Sequence, residues 1–115
     1  MKKKYLLKKN KEYRNVYNRG ISLANRYAVI FALENRLDYS RFGFSVSKKI
    51  GKAVVRNKVR RRLKEVCRKC RNGLDSGYDY IIIARKGIEK LDFNSVQDAV
   101  ENLVYRIKKK TARKN

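Results

Sequence analysis

SKKIGKAVVRNKVRRRLKEVCRKCR, residues 47–71, is the most strongly patterned stretch of this chain. It holds twelve Lys or Arg and a single acid, Glu65, in a protein of 115 residues with a formal net charge of +22. An apolar core does not explain this density, because like charges repel and a buried charge loses its hydration. A polyanion bound against the segment does explain it.

On a helix that begins near Val55, at about 100° per residue, the stretch separates into two faces. The apolar residues share an arc of about 120°, the width of a stripe that faces a core. They are Val55, Val59, Leu63, Val66, Cys67 and Cys70. The opposite side holds Asn57, Arg60, Arg61, Lys64, Arg68 and Arg71, with Arg56 and Arg62 at the seams. A merely solvated helix mixes Glu with Lys at i,i+4, so the lack of such partners favours phosphate binding.

Composition limits the classes of protein that remain. The length fits one domain with a modest core. No apolar run approaches the roughly 18 residues of a membrane span, and no secretory signal is recognisable, so we expect a cytoplasmic protein. The chain has no His, which excludes histidine-based acid–base chemistry and His–metal sites.

The positive charge is clustered rather than spread. Residues 1–20, 48–71 and 106–115 carry +7, +11 and +6, while the remainder of the chain is slightly acidic at −2. Nucleic acid is the expected partner. A membrane surface fits less well, because a basic interfacial helix carries Trp, Phe or Leu opposite its charges instead of a Val/Cys stripe.

Cys67-x-x-Cys70 invites a metal or redox interpretation. Both sulfurs lie on the apolar arc, no second Cys pair or His completes a zinc set, and no thioredoxin-like βαβ pattern surrounds them. Two reduced core cysteines are the better interpretation.

Local patterns predict a single α+β domain over residues 1–115, with the order α-β-β-β-α-β-α in a two-layer sandwich. The helices are 9–19, with Gly20 as a left-handed stop, then 55–71, and a last one that Asp92 caps. The strands are 21–24, 26–33, 41–47 and 78–85, with 34–40 as a loop of hairpin length. The Ile81–Ile83 triplet suggests that the last strand is central and covered on both faces. About 1–8 and 108–115 are expected to be flexible basic ends.

Aromatic residues lie beside the positive charge. Tyr13 and Tyr17 are i,i+4 on the first helix, and Phe31 shares one face of strand 26–33 with Tyr27 and Val29. Which face of that strand is open does not follow from the sequence. Rings flanked by cations suit single-stranded RNA, whose unstacked bases lie on them. The alternative is that these rings are ordinary core.

The run Phe44–Leu63, FSVSKKIGKAVVRNKVRRRL, resembles the signature of the protein subunit of bacterial ribonuclease P. The stretches KKNKEYRNVYNRG, ANRYAVIFAL and YDYIIIARK fit as well, so the resemblance covers nearly the whole chain. Lys58 stands at the third position of the family's Arg-Asn-Arg-type motif, where it keeps the cation but loses the bidentate fork. The resemblance implies a sandwich like the second domain of ribosomal protein S5, with a left-handed βαβ crossover through the basic helix.

The resemblance also implies a function. The family's proteins are accessory subunits of a ribonucleoprotein endoribonuclease that removes the 5′ leader of precursor tRNA. The RNA subunit carries the chemistry with Mg²⁺ ions that are held mainly by RNA, so we expect no catalytic residue, metal ligand or cofactor on the protein. The expected partners are the ribonuclease P RNA subunit and precursor tRNA, without a membrane, and the isolated protein is expected to be monomeric.

Two sets of site residues follow from the charge pattern and the resemblance together. The RNA-binding set is Lys48, Lys49, Lys52, Arg56, Asn57, Lys58, Arg60, Arg61, Arg62, Lys64 and Arg68. The leader-binding set is Tyr13, Tyr17 and Phe31.

Three other functions compete with this one. A structural RNA-binding protein of the ribosome needs no substrate cleft. A stand-alone nuclease is disfavoured because there is no His and the ten carboxylates are scattered. A DNA-binding helix that reads bases carries Asn, Gln and Ser among its cations, unlike this almost unbroken cationic face.

Overall fold

The computed structural model describes residues 1–112. Its main elements are α1 (Asn10–Arg19), β1 (Ile21–Ala24), β2 (Ala28–Glu34), β3 (Arg41–Ser45), α2 (Ala53–Cys70), β4 (Tyr78–Ala84) and α3 (Phe93–Ala112). Short 3₁₀ turns lie at Lys3–Tyr5, Lys48–Ile50, Arg71–Gly73 and Ile88–Lys90. The predicted element order is therefore confirmed. Asp92 caps α3 as predicted, since its carboxylate accepts the Ser95 N–H at 2.8 Å.

The four strands form one mixed sheet in the order β1-β2-β4-β3. β4 pairs antiparallel with β2 and parallel with β3, so the predicted central position of this strand is confirmed. The 34–40 loop of hairpin length joins β2 and β3 as predicted, but these two strands do not pair, because β4 lies between them. β4 carries apolar residues on both faces, and a central position covers both faces. An edge position would leave part of these residues exposed. The parallel β3–α2–β4 connection is the crossover through the basic helix.

The two faces of the sheet are covered differently. α2 and α3 pack on the face that carries Ala28, Ile30 and Ala32 of β2, all of which are buried. α1 and the N-terminal segment cover part of the other face, where Val16 and Ile81 are fully buried. The face of β2 that carries Phe31 is therefore the more open one, which answers the question that the sequence left undecided.

Parts of the two ends that were expected to be flexible make defined contacts. The Leu7 N–H donates to the Phe42 carbonyl at 2.8 Å, and the Leu7 side chain is buried. At the other end α3 continues to Ala112, and the Thr111 hydroxyl donates to the Asp75 carboxylate at 2.6 Å. Leu7 is held because it belongs to the apolar cluster under α1. Thr111 is held because it is buried and its hydroxyl is hydrogen-bonded to Asp75. Residues 113–115, also part of that expectation, lie outside the described residues.

Gly20 ends α1, but the predicted left-handed conformation is wrong. Its φ and ψ are −79° and 164°, which is extended backbone. The need for glycine is steric instead, since a Cβ would lie 2.7 Å from the Val16 carbonyl oxygen and 2.8 Å from that of Ala32. Gly20 thereby lets the end of α1 approach β2 closely.

Candidate nucleic-acid interface

The basic helix α2 has the two faces that its sequence predicts. Val59, Leu63, Val66 and Cys67 are buried against the sheet and α3, and Val55 and Cys70 pack at the margin of the same core. Burial of this stripe fixes the rotation of the helix about its own axis. The cationic face is consequently turned away from the core.

The predicted RNA-binding residues all lie on α2 or on the turn before it, but they are not equivalent. The exposed ones are Lys48, Lys49, Lys52, Asn57, Lys58, Arg61 and Arg68, and the partly buried ones are Arg56, Arg60, Arg62 and Lys64. Within residues 1–112, Arg41 and Arg68 are the cations that form ion pairs. The other cations of this set are therefore available to phosphate without first breaking an ion pair.

Four members of the set make side-chain hydrogen bonds within residues 1–112. Arg62 donates from Nη1 to the Leu91 carbonyl oxygen at 2.8 Å, which ties α2 to the turn before α3. Arg60 donates to the Asn57 side-chain oxygen at 3.1 Å, and Arg68 pairs with Glu65 at 2.7 Å. The Arg68–Glu65 pair is exposed, so it contributes little and opens easily to a phosphate. Arg62, in contrast, is a structural tie.

The N-terminal end of α2 adds to the positive potential. No side chain caps this helix and its first turn holds no acid, so the positive end of the helix dipole is not neutralised. Lys48, Lys49 and Lys52 lie beside it, and Gly51 makes the turn with a φ of +155°.

The three predicted aromatic residues are brought together on the opposite face of the sheet from α2 and α3. The Tyr17 and Phe31 rings lie 5.2 Å apart at 78°, and the Tyr13 and Tyr17 rings lie 6.4 Å apart. Tyr17 is 37% exposed, whereas Tyr13 and Phe31 are partly buried against Leu7, Val16 and Ile81. The cluster is therefore neither a closed core nor a fully exposed patch.

The sheet next to this cluster is only partly covered. Strand register places Ser22, Phe31, Ile81 and Gly43 in one row across the sheet, and Ala24, Val29, Ile83 and Ser45 in the next. The first row passes under α1, while every member of the second keeps some exposure. β3 ends at the second row and leads into the Lys48–Ile50 turn. The result is a partly covered surface of the sheet with the three aromatic residues on one side and the Lys48–Ile50 turn beyond the end of β3. We call this surface the aromatic cleft.

Gly43 seats the Tyr13 ring, and sequence reasoning did not identify it. A Cβ at Gly43 would lie 2.7 Å from both Cζ and Oη of Tyr13. Burial raises the pKa of the Tyr13 phenol above its ordinary value, as expected for a ring pressed against the sheet. A glycine between two Phe inside a strand was the available signal, because it marks a close approach.

An ion-pair network that was also not predicted attaches α1 to the sheet. Arg41 forms two hydrogen bonds with Asp79, at 2.9 and 2.8 Å, and donates to Glu12 at 2.7 Å. Glu12 also accepts the N–H groups of Lys8 and Lys9, and the hydrogen bond from Lys9 is the main cause of its lowered pKa. The sequence offered two signals for this network. Glu12 is the lone acid of residues 1–20, and Asp79 is an acid inside an apolar strand.

The two cysteines contribute to the core of α2. Cys67 is fully buried, and burial raises its thiol pKa above the ordinary value. Burial also raises the pKa of Cys70 to about 11, and its thiol donates to the Val66 carbonyl at 3.0 Å. Both are therefore protonated at neutral pH, which agrees with packing residues. Across residues 1–112, no three His, Cys, Asp or Glu side chains are grouped so that they would hold a metal ion. In the same residues, no helix is long and apolar enough to cross a membrane.

Comparison with known proteins is consistent along the chain. The family model described as Ribonuclease P matches residues 1–108. The chain is 46% identical over 101 residues to the ribonuclease P protein component of Clostridioides difficile, covering 87% of this chain and 89% of that protein. It is 47% identical over 110 residues to that of Carboxydothermus hydrogenoformans, covering 94% and 92%.

Solved structures show the same similarity in three dimensions. A Staphylococcus aureus RNase P protein mutant with defective mRNA degradation activity superposes with a TM-score of 0.87 at 34% identity, covering 92% of this chain and 90% of that one. The RNase P protein from Thermotoga maritima superposes with a TM-score of 0.80 at 34% identity, covering 87% and 94%.

Proposed function

Because this chain belongs to the ribonuclease P protein family, we propose that its basic helix and its aromatic cleft bind two different RNAs. The chain is a protein subunit of the ribonucleoprotein endoribonuclease ribonuclease P (EC 3.1.26.5), which matures the 5′ end of tRNA. This membership removes the ribosomal, stand-alone nuclease and DNA-binding alternatives. What remains to be assigned is which surface of the protein meets which RNA.

The basic helix binds the phosphates of the RNA subunit in this proposal. The support is a row of cations of which, within residues 1–112, Arg68 alone is ion-paired, on a helix whose rotation is fixed by its buried stripe. We propose further that the RNA holds most of the Mg²⁺ ions of the assembled enzyme. The isolated protein is a monomer in this proposal, and the assembled enzyme works in the cytoplasm. Precursor tRNA is the substrate.

The aromatic cleft binds the single-stranded 5′ leader. The observation that carries this assignment is the Tyr17–Phe31 pair, 5.2 Å apart, at the edge of a partly uncovered row of the sheet. An unstacked base covers a ring of this kind well, and stacking tolerates any base sequence. Leader length should therefore matter more than leader sequence.

Binding of precursor tRNA by the assembled holoenzyme tests this proposal. Tyr17→Ala or Phe31→Ala is expected to weaken binding of a long-leader precursor by about 1–3 kcal/mol per ring lost. Mature tRNA, and precursor with only one or two leader nucleotides, is expected to bind almost as tightly as before.

The leaderless RNAs are the internal control, because a misfolded protein would lose every substrate together. Tyr105→Ala is the matched control variant. It removes an exposed ring on α3, which packs on the face of the sheet opposite the cleft. Equal losses for long-leader and leaderless RNA, with the fold retained, would show that these rings are core and that the leader binds elsewhere.

A further inference from the structure

A second aromatic site lies where β3 and β4 begin. It is a cavity of about 390 Å³ whose walls include Tyr5, Tyr39, Asp38 and Arg71. The Tyr5 and Tyr39 rings meet edge to face, with centroids 5.7 Å apart and planes at 76°. The volume lies within the range of pockets that bind small organic groups. Neither ring belongs to the cleft beside Phe31.

Two cations surround these rings. The Lys4 ammonium lies 5.0 Å from the centroid of each ring, and the Arg71 guanidinium carbon lies 4.4 Å from that of Tyr5. In residues 1–112 neither cation forms an ion pair. The cavity thus offers cations for a phosphate and the Asp38 carboxylate as an acceptor for a base amino group. It also offers the Tyr39 ring for a base that takes the place of the Lys4 ammonium over it, while that ammonium moves to the phosphate.

The position of the cavity relates it to the basic helix. Arg71 directly follows Cys70, the last residue of α2, whereas the leader cleft lies near the turn that precedes the first residue, Ala53. Eighteen helical residues separate these two ends by about 27 Å. An RNA strand whose phosphates follow α2 away from the cleft reaches Arg71, which lines the cavity.

We infer that this cavity binds one unstacked nucleotide of the ribonuclease P RNA subunit, with its base on Tyr39 and its phosphate at Lys4 and Arg71. The inference rests on the proposed binding of the RNA subunit along α2. It adds a site at which a single base, rather than the backbone, is held, which fixes the register of the RNA on the helix.

The test measures binding of the full-length protein to the RNA subunit without precursor tRNA. Tyr39→Leu removes the ring but keeps apolar volume, and it is expected to weaken binding about 5- to 150-fold. The slope of log Kd against log salt is expected to stay unchanged, because no charge is removed. Tyr39→Phe keeps the ring and is expected to bind like the wild type.

Chemical probing of the RNA subunit supplies a second readout. The wild-type protein is expected to protect one unpaired nucleotide that the Tyr39→Leu variant leaves reactive. Tyr105→Leu is the matched control, because this ring is 63% exposed on α3 and has the Lys109 ammonium 4.5 Å from its centroid, yet it does not line the cavity. It is expected to change neither the affinity nor the protection.

Unchanged affinity for Tyr39→Leu, or an equal loss for Tyr105→Leu, would overturn the inference. A loss seen only when precursor tRNA is present would overturn it too, since the nucleotide would then belong to the substrate. If circular dichroism shows that Tyr39→Leu is unfolded, Arg71→Ala replaces it, because it removes a cation that the site assigns to the phosphate of the nucleotide. Its unchanged affinity would equally refute the site. Failure of the wild-type protein to bind the RNA subunit would instead refute the proposed function of α2.

Discussion

Neighbouring arginines on α2 differ in what they touch, and this difference decides their roles. Arg61 is exposed and makes no hydrogen bond within residues 1–112, whereas Arg62 is tied to the Leu91 carbonyl. A guanidinium that neutralises a phosphate changes the salt dependence of binding. One that satisfies a buried or half-buried carbonyl changes the stability of the fold.

The first prediction compares Arg61→Ala with Arg62→Ala. Arg61→Ala is expected to weaken binding of the RNA subunit and to reduce the slope of log K against log salt by about 1. Arg62→Ala is expected to lower the free energy of unfolding by about 1–3 kcal/mol, because the Leu91 carbonyl loses its donor. Salt titrations and denaturant unfolding of both variants check this, and an unchanged salt slope for Arg61→Ala would show that it does not contact phosphate.

Gly43 determines how closely the Tyr13 ring, one of the three rings of the cleft, approaches the sheet. In Gly43→Ala the new methyl group overlaps the Tyr13 ring, so the ring must shift away from the sheet. Such overpacking is expected to lower stability by about 1–3 kcal/mol. Long-leader precursor should bind more weakly than before, while leaderless tRNA should not.

Gly73→Ala is the matched control for Gly43→Ala, since no atom lies within 4 Å of a Cβ built there. It is expected to leave leader binding unchanged. Retention of full long-leader affinity by Gly43→Ala would mean that the position of the Tyr13 ring does not matter for the leader.

The helices could be predicted from the sequence, whereas the strand order could not. The stripe of α2 repeats every three to four residues, so its buried and cationic faces follow from positions close in the chain. Insertion of β4 between β2 and β3 joins residues more than thirty positions apart. The Ile81–Ile83 triplet predicts that β4 is central, but it does not indicate which strands lie on either side. The 34–40 loop has hairpin length and still joins strands that do not pair, because loop length limits pairing but does not select it.

The same distinction applies to the candidate site. Tyr13, Tyr17 and Phe31 could be selected because the aromatic residues near the basic blocks and the family resemblance point to the same three positions. The Arg41 network could not, because Glu12, Arg41 and Asp79 are far apart in the chain and meet only through β3–β4 pairing and docking of α1 on the sheet. Each is unremarkable in its own segment, and together they hold the helix that carries two of the three cleft rings.

Docking of α1 is expected to depend on pH through Glu12. Its pKa is lowered in the fold, first by the Lys9 N–H and also by Arg41, from an ordinary value of 4.5. A lowered pKa contributes stability that is present above the ordinary value and is lost as pH falls through the folded value. Glu12→Gln should therefore be less stable than wild type at pH 7, and the difference should shrink below about pH 4.5.

Free energies of unfolding from denaturant titrations between pH 3 and 7 measure this difference. Asp98→Asn is the matched control, because it removes a carboxylate of α3 that accepts no hydrogen bond in residues 1–112. Its difference from wild type should stay small across the range. A Glu12→Gln difference that did not change with pH would show that the Glu12 charge does not hold α1 in place.

At the scale of the whole molecule, the protein carries a large positive charge, and most of its carboxylates are hydrogen-bonded to other groups of the protein. Within residues 1–112, eight of the ten side-chain carboxylates accept hydrogen bonds from other protein groups. They are Glu12, Glu34, Glu65, Asp75, Asp79, Glu89, Asp92 and Glu101. The net charge of +22 is accordingly directed outward, toward RNA.

The last prediction follows from that charge. Close approach of the RNA subunit and precursor tRNA requires their phosphates to be neutralised, and bound protein supplies positive charge that Mg²⁺ would otherwise provide. Cleavage of precursor tRNA by the RNA subunit is expected to reach half its maximal rate at a lower Mg²⁺ concentration when the protein is present. The shift should shrink as monovalent salt weakens protein–RNA contacts, and the protein alone should cleave nothing. Equal Mg²⁺ midpoints with and without protein, or cleavage by RNA-free protein, would contradict an accessory role that acts through charge.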